Sequence, residues 1–214
     1  MLGIKFDDIH SYDDLNLILT SKEIGSPEVK VRKIDIEGAD GSLDLTDFFG
    51  EPKYENVTHK FNFSVIGTQA RLLSLFSNVK NTLHGKKKRI VLPDDPLFYY
   101  VGRVSVSGFS NEKNIGFISI ECDCEPFKYK LEKTVVTKAM SGTQTITLTN
   151  GRKRAVPEVV IASDTSLRIE YQGNIWDLAS GSFTLPELEL VEGANAVKVT
   201  GTGTITFRWQ EGDL

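Results

Sequence analysis

The stretch Lys60-Phe-Asn-Phe-Ser-Val-Ile66, followed from Thr68 by Leu72, Phe76, Val79 and Leu83, changes its hydrophobic period within a few residues. Phe61, Phe63 and Val65 alternate with polar neighbours, the pattern of a strand with one face in a core. Leu72, Phe76, Val79 and Leu83 then fall at i, i+4, i+7 and i+11, one apolar stripe along about four helical turns. Gly85 follows at the position where a left-handed backbone ends a helix most cheaply. Working outward, Arg89 to Leu92, Phe98 to Ser107 and Gly116 to Asp123 read as further strands. They are separated by turns at Pro93-Asp-Asp-Pro96 and Ser110-Asn-Glu-Lys-Asn114. Upstream, Val29 to Ile36 alternates with one slip of phase and reads as a strand with a bulge. The front of the chain is therefore an α+β module, mostly β with one helix.

The rear has no helical period. Thr143 to Thr149 ends at Asn150-Gly151, a hairpin signal, and short strands follow at Glu158–Ala162, Leu167–Tyr171, Ile175–Leu178, Leu188–Val191, Ala196–Val199 and Thr204–Trp209. Gly201-Thr-Gly203 reads as a turn. Such spacing implies an all-β sandwich or jelly roll. Aromatics divide the same way: ten of the twelve Phe and five of the six Tyr precede residue 134, and Trp176 and Trp209 follow it. Two separate cores account for this. The domains are placed at 1–133 and 134–214, with Leu131 to Lys138 as the linker.

With 40% apolar and 25% charged residues among 214, the chain has side chains for a sizeable core, which rules out a disordered tail. A formal charge of -4 argues against a surface built to grip phosphate backbones, and no sequence-specific nucleic-acid partner is expected. No run approaches the roughly 18 apolar residues of a membrane span, so no membrane insertion is expected. Asp7-Asp8 interrupts the region where a signal peptide would be apolar, predicting a protein that starts in the cytoplasm. Cys122 and Cys124, two apart on a strand, point to one face and read as reduced, buried side chains rather than a disulfide.

Residues arranged for chemistry are scarce. His10, His59 and His84 lie in unrelated segments without metal-ligand spacing, and Asp40, Asp44 and Asp47 fail the calcium-loop pattern. Neither a nucleophile elbow nor a catalytic cysteine signature occurs. No enzyme activity, metal or cofactor is expected. Lys86-Lys-Lys-Arg89 is the one basic block; it reads as a solvated turn, or as a contact, through Lys86, Lys87, Lys88 and Arg89, for a passing polyanion or an acidic neighbour subunit. Trp176 in Gly173-Asn-Ile-Trp-Asp177 reads as core packing, or as a platform for a sugar ring.

The segment Ile36-Glu-Gly-Ala-Asp-Gly-Ser-Leu-Asp-Leu-Thr-Asp47 resembles a loop near the start of distal tail proteins of long-tailed, non-contractile bacteriophages. The Phe61–Val65 strand leading into the helix, Pro93-Asp-Asp-Pro-Leu-Phe-Tyr-Tyr100, Ile118 to Tyr129 and Gly193 to Gly212 agree in order with the same family. The resemblance implies an N-terminal belt domain related to tail-tube proteins and a C-terminal galectin-like sandwich. It implies a homohexameric hub ring around the DNA channel, joining the tail tube to the baseplate, with the tail-tube protein, a tail-associated hub protein and a receptor-binding protein as partners. The location implied is the virion tail tip, assembled in the host bacterial cytoplasm. Asp40 to Gly50 carries Leu43, Leu45, Phe48 and Phe49, more apolar side chains than a free loop needs. These are the candidate subunit-interface residues, although Phe48 and Phe49 read equally well as folding back onto their own core. The alternatives are a carbohydrate-binding sandwich that recognises a bacterial surface glycan and, more remotely, the tail tube itself.

Overall fold

The computed structural model describes residues 3–48 and 50–214. Two compact units result, one ending at Lys128 and the other spanning Tyr129–Asp213. The division falls five residues ahead of the expected 133/134. Residues just ahead of the expected boundary are already held by the rear unit, Lys130 N–H donating to Glu211 O at 3.1 Å, and from Thr134 onward the supposed linker is a strand of that unit.

The front unit holds β1 (Lys5–Phe6), β2 (Ile9–His10), β3 (Ile18–Ile24), β4 (Lys33–Asp35), β5 (Ser42–Asp44), β6 (Val57–Ile66), α1 (Gln69–Leu83), β7 (Lys87–Leu92), β8 (Asp95–Glu112) and β9 (Ile115–Cys124). Antiparallel pairing gives the order β2-β1-β7-β8-β9-β6-β3. Alternation in β6 does what its sequence implies: Val57, His59, Phe61, Phe63 and Val65 are buried and the residues between them are not. In register beside them, Ile118, Ile120, Cys122 and Cys124 of β9 face the same core. The helix closes that core with Leu72, Val79 and Leu83, while Phe76 is half-buried and stacks on Phe109 at 4.8 Å between ring centroids. Gly85, with φ 75°, lets the chain leave the helix and enter β7. The expected strand at Val29–Ile36 shrinks to β4, which pairs only with β5 in a two-stranded sheet of its own.

The remaining strands are β10 (Lys128–Lys130), β11 (Thr134–Asn150), β12 (Glu158–Ala162), β13 (Leu167–Tyr171), β14 (Asn174–Leu178), β15 (Gly181–Thr184), β16 (Gly193–Trp209) and β17 (Gly212–Asp213). In the rear unit β11 and β16 pair along their whole lengths, Thr134 opposite Trp209 and Asn150 opposite Gly193. Up to Thr200, β16 also pairs with β13; from Thr204 it pairs with β12. One strand thus serves both layers of the sandwich, as a strand turning a sheet corner does. Leu148, Ile161, Ile169, Val199, Phe207 and Trp209 fill the space inside.

That bend corrects the reading of Gly201-Thr-Gly203 as a turn between strands: both glycines lie within β16, at φ 136° and 151°, Gly201 opposite Gly142 and Gly203 opposite Met140 of β11. Asn150-Gly151 does not close a hairpin either. The Asn150 amide is buried and donates to the carbonyls of Lys153 and Leu190, so it ties down the loop that carries the chain away. The expected strand at Leu188–Val191 reduces to a single bridge between Ala155 and Leu190.

Candidate functional site

The front unit leaves three kinds of surface uncovered. First is the lateral strand β3, which ends the sheet; five of its seven residues are exposed. Its outer backbone groups form an edge to which another strand can add. A bulge between Leu19 and Ser21 and the charged Lys22 and Glu23 narrow the set of strands that fit.

Second is an arm formed by residues 26–56. Glu55 N–H donates to Glu28 O at 2.8 Å, Lys30 N–H to Lys53 O at 2.7 Å and Leu45 N–H to Arg32 O at 2.8 Å, so its two legs run together as a ribbon. The tip turns over Gly38 and Gly41, both with positive φ, between β4 and β5. Opposed Ile34 and Leu43 share one side of this ribbon, at 44% and 49% exposure. Val31, Ile36 and Phe48 are more exposed still, at 63%, 52% and 71%, and Leu45 is half-buried. Phe48 therefore does not fold into the core of its own unit; Phe49 lies outside the described residues. A lone two-stranded hairpin with an open apolar side is marginal in water.

The arm is rooted at Gly25, where an added Cβ would come within 2.8 Å of Thr58 O. Its amide donates to His59 Nδ1 at 3.2 Å. His59 is fully buried, its ring edge-on to Tyr100 at 4.4 Å, and its Nε2 meets no acceptor. Burial holds its pKa below the ordinary 6.5. The unfolded chain takes up a proton as pH falls through about 6.5 and the fold resists doing so until lower pH, so this residue makes stability decline on acidification. Urea melts at about pH 7.5 and 5.5 are expected to show a smaller loss for His59→Phe than for the unsubstituted chain. An equal loss would contradict the assignment.

Third is the sheet face turned away from the helix. Thr58, Lys60 and Asn62 of β6, Ser119, Glu121 and Asp123 of β9, and Arg103, Ser105 and Ser107 of β8 alternate with core residues and so share it. Asn62 knits the face together: its Nδ2 donates to Ser21 Oγ at 3.0 Å, and its Oδ1 accepts from Ser119 Oγ at 2.8 Å. The face is hydroxyl- and amide-rich with both charge signs.

From Lys87 onward the basic block is strand β7 rather than a turn, with Lys86 just ahead of it, and its members diverge. Lys86 Nζ donates to Asn81 O at 2.8 Å, tying down the last turn of the helix. Lys87 pairs with Glu125 at 2.7 Å and Lys88 with Asp7 at 2.9 Å, while the Arg89 guanidinium lies over Tyr99. Partial burial works to raise the Asp7 carboxyl, but the Arg89 amide and Lys88 outweigh it and hold Asp7 below its ordinary value. The block does not present one cationic patch. In the rear unit Trp176 of β14 is in register with buried Ile169 and packs against the core from the edge. Beside it, Arg168 and Asp177 form a bidentate pair at 2.9 Å. Trp176 is half-buried there.

Cys122 and Cys124 are free, fully buried and on the same face. Burial pushes both thiols up, Cys124 to about 12, so neither is a thiolate at neutral pH. A disulfide-exchange reagent at mild pH is expected to leave both unmodified in the folded protein and to titrate both in denaturant; rapid labelling of the native chain would contradict this.

A helix-backed antiparallel unit followed by an all-β, galectin-like unit is a fold that this chain shares with a phage hub protein. In particular, the chain matches the SPP1 Dit protein (gp 19.1) over 100% of both chains, with a TM-score of 0.70 and 14% sequence identity. The crystal structure of that protein is described as a paradigm of the hub adsorption apparatus in phages that infect Gram-positive bacteria. No family model matches the sequence, and no curated protein does. At this identity the likeness shows the fold.

Proposed function

We propose that this chain is a structural component of the tail tip of a long non-contractile phage or prophage. Its front unit closes with copies of itself into a hexameric hub ring, and its rear unit holds baseplate or receptor-binding proteins. The ring joins the tail tube to the tip and surrounds the channel through which DNA passes. It acts by assembly, without catalysing a reaction. The observation that carries this reading is the hub fold over the whole chain at a TM-score of 0.70.

The uncovered surfaces of the front unit support it. Side-by-side packing in a ring covers the open edge of β3 and the apolar side of the arm, both of which a lone copy leaves exposed. The helix-free face, wet and of mixed charge, suits a channel wall past which DNA slides, because a strongly cationic wall would hold the phosphates. The tail-tube protein and a tail-associated hub protein are the partners expected above and below such a ring. The arm residues Leu43, Leu45 and Phe48 are proposed as subunit contacts, while Lys86 to Arg89 and Trp176 have partners within their own fold.

Light scattering coupled to size-exclusion chromatography, followed by negative-stain imaging, tests the proposal. Six copies in a ring with an open centre support it. A monomer at high concentration, retained on a bacterial surface glycan, would overturn it in favour of the carbohydrate-binding alternative.

A further inference from the structure

Resting on the ring reading, we propose that the arm of one copy docks on the outer flank of helix α1 of the next copy. Ile34, Ile36 and Leu43 would lie against Leu73 and Phe76, and the acidic tip would face Lys80. Identical copies packed head to tail need two different surfaces that fit each other, because each interface joins unlike patches. The chain carries such a pair. Between residues 26 and 56 eight carboxylates stand against four cations, whereas helix α1 carries Arg71 and Lys80 and no carboxylate.

The apolar parts match as well. Leu73 is 53% exposed on the helix, and Lys80, one heptad on, shares its flank with its ammonium 5.5 Å from the Phe76 ring centroid. Phe76 is stacked on Phe109, so the flank is a half-open aromatic and aliphatic surface with a cation at its rim. Other surfaces of the front unit fit the arm less well. The polar sheet face is already crossed by Glu121 and Asp123, and the β1–β2 corner carries Asp8, Asp13 and Asp14, which repel an acidic tip. An exposed apolar group at Ile66, Ile115 and Phe117 has no basic rim on the strand positions beside it, where Ser64 and Ser110 stand.

Paired cysteines distinguish these faces, because Cys122 and Cys124 are buried and unreactive. Ile36→Cys combined with Leu73→Cys is expected to give an oxidised ladder of covalent species up to six copies. Ile36→Cys combined with Phe117→Cys is expected to give none. In the otherwise unsubstituted chain Lys80→Glu is expected to raise the concentration for half-assembly about 10-fold, and adding Glu37→Lys to restore it. Intact rings without the first ladder, or with the second, would overturn the docking face and leave the ring standing. Monomers throughout would overturn the ring reading and the docking face with it.

Discussion

Replacing Ile34 and Leu43 together by aspartate is expected to abolish ring formation while leaving the thermal unfolding of each copy unchanged. Both side chains sit on the arm, outside the two buried cores, so their removal costs the monomer little. In a ring the same two side chains are covered once per interface. Completing the burial of two half-exposed aliphatic groups contributes about 2 kcal/mol, and placing carboxylates there adds a desolvation cost, so each interface weakens on the order of 100-fold. A closed ring multiplies that penalty around its circumference. Sedimentation velocity would show monomers at concentrations where the unsubstituted chain is assembled. Rings of undiminished stability would mean that this side of the arm is not interface material.

Gly203→Val is expected to produce the largest loss of stability of any single substitution considered. A Cβ at that position would meet Ser163 Cβ at 2.5 Å and Ala162 O at 2.9 Å, on a backbone at φ 151° that side chains with a Cβ rarely adopt. The strain and the overlap with β12 act on the point where β16 passes from one layer to the other, and a cost of about 3–4 kcal/mol follows. Calorimetry should show the rear transition at lower temperature, or lost, with the front one kept. Gly142→Ala, at φ 78° with open space around its Cβ position, is expected to cost only about 1 kcal/mol. Equal effects at the two positions would show that backbone conformation, rather than crowding, decides the corner.

Local patterns were legible where one residue's fate depends on its near neighbours. The apolar stripe from Leu72 to Leu83 and the alternation of β6 fix their elements because burial follows the period of the element itself. Pairing partners were not legible. Val29 to Ile36 has the same alternation whether it joins a sheet or stands in a ribbon, and only the structure shows that β4 pairs with β5 alone. Glycine marks a bend equally well between strands or inside one, so Gly201 and Gly203 read as a turn until the full length of β16 was seen against β11. Asn150-Gly151 misled for a related reason: the Asn150 side chain satisfies carbonyls of a returning loop rather than a tight turn.

The candidate site was half visible. The excess of apolar residues in Asp40 to Gly50 could be counted, but whether they turn inward depends on the distance of the arm from its own core, which no local pattern encodes. The basic block showed the opposite failure. Four adjacent cations look like one patch in sequence, yet along β7 alternate residues point to opposite faces, and Asp7 and Glu125 come from distant positions to pair with two of them.

Amide hydrogen exchange across a dilution series tests most directly whether the front unit is completed by its neighbours. The edge strand Ile18–Ile24 and the ribbon from Lys33 to Asp44 are expected to exchange fast in dilute monomer and to become protected together as rings form, with β6 protected throughout. Protection of the edge and the ribbon at all concentrations, or their continued fast exchange in the assembled state, would contradict it.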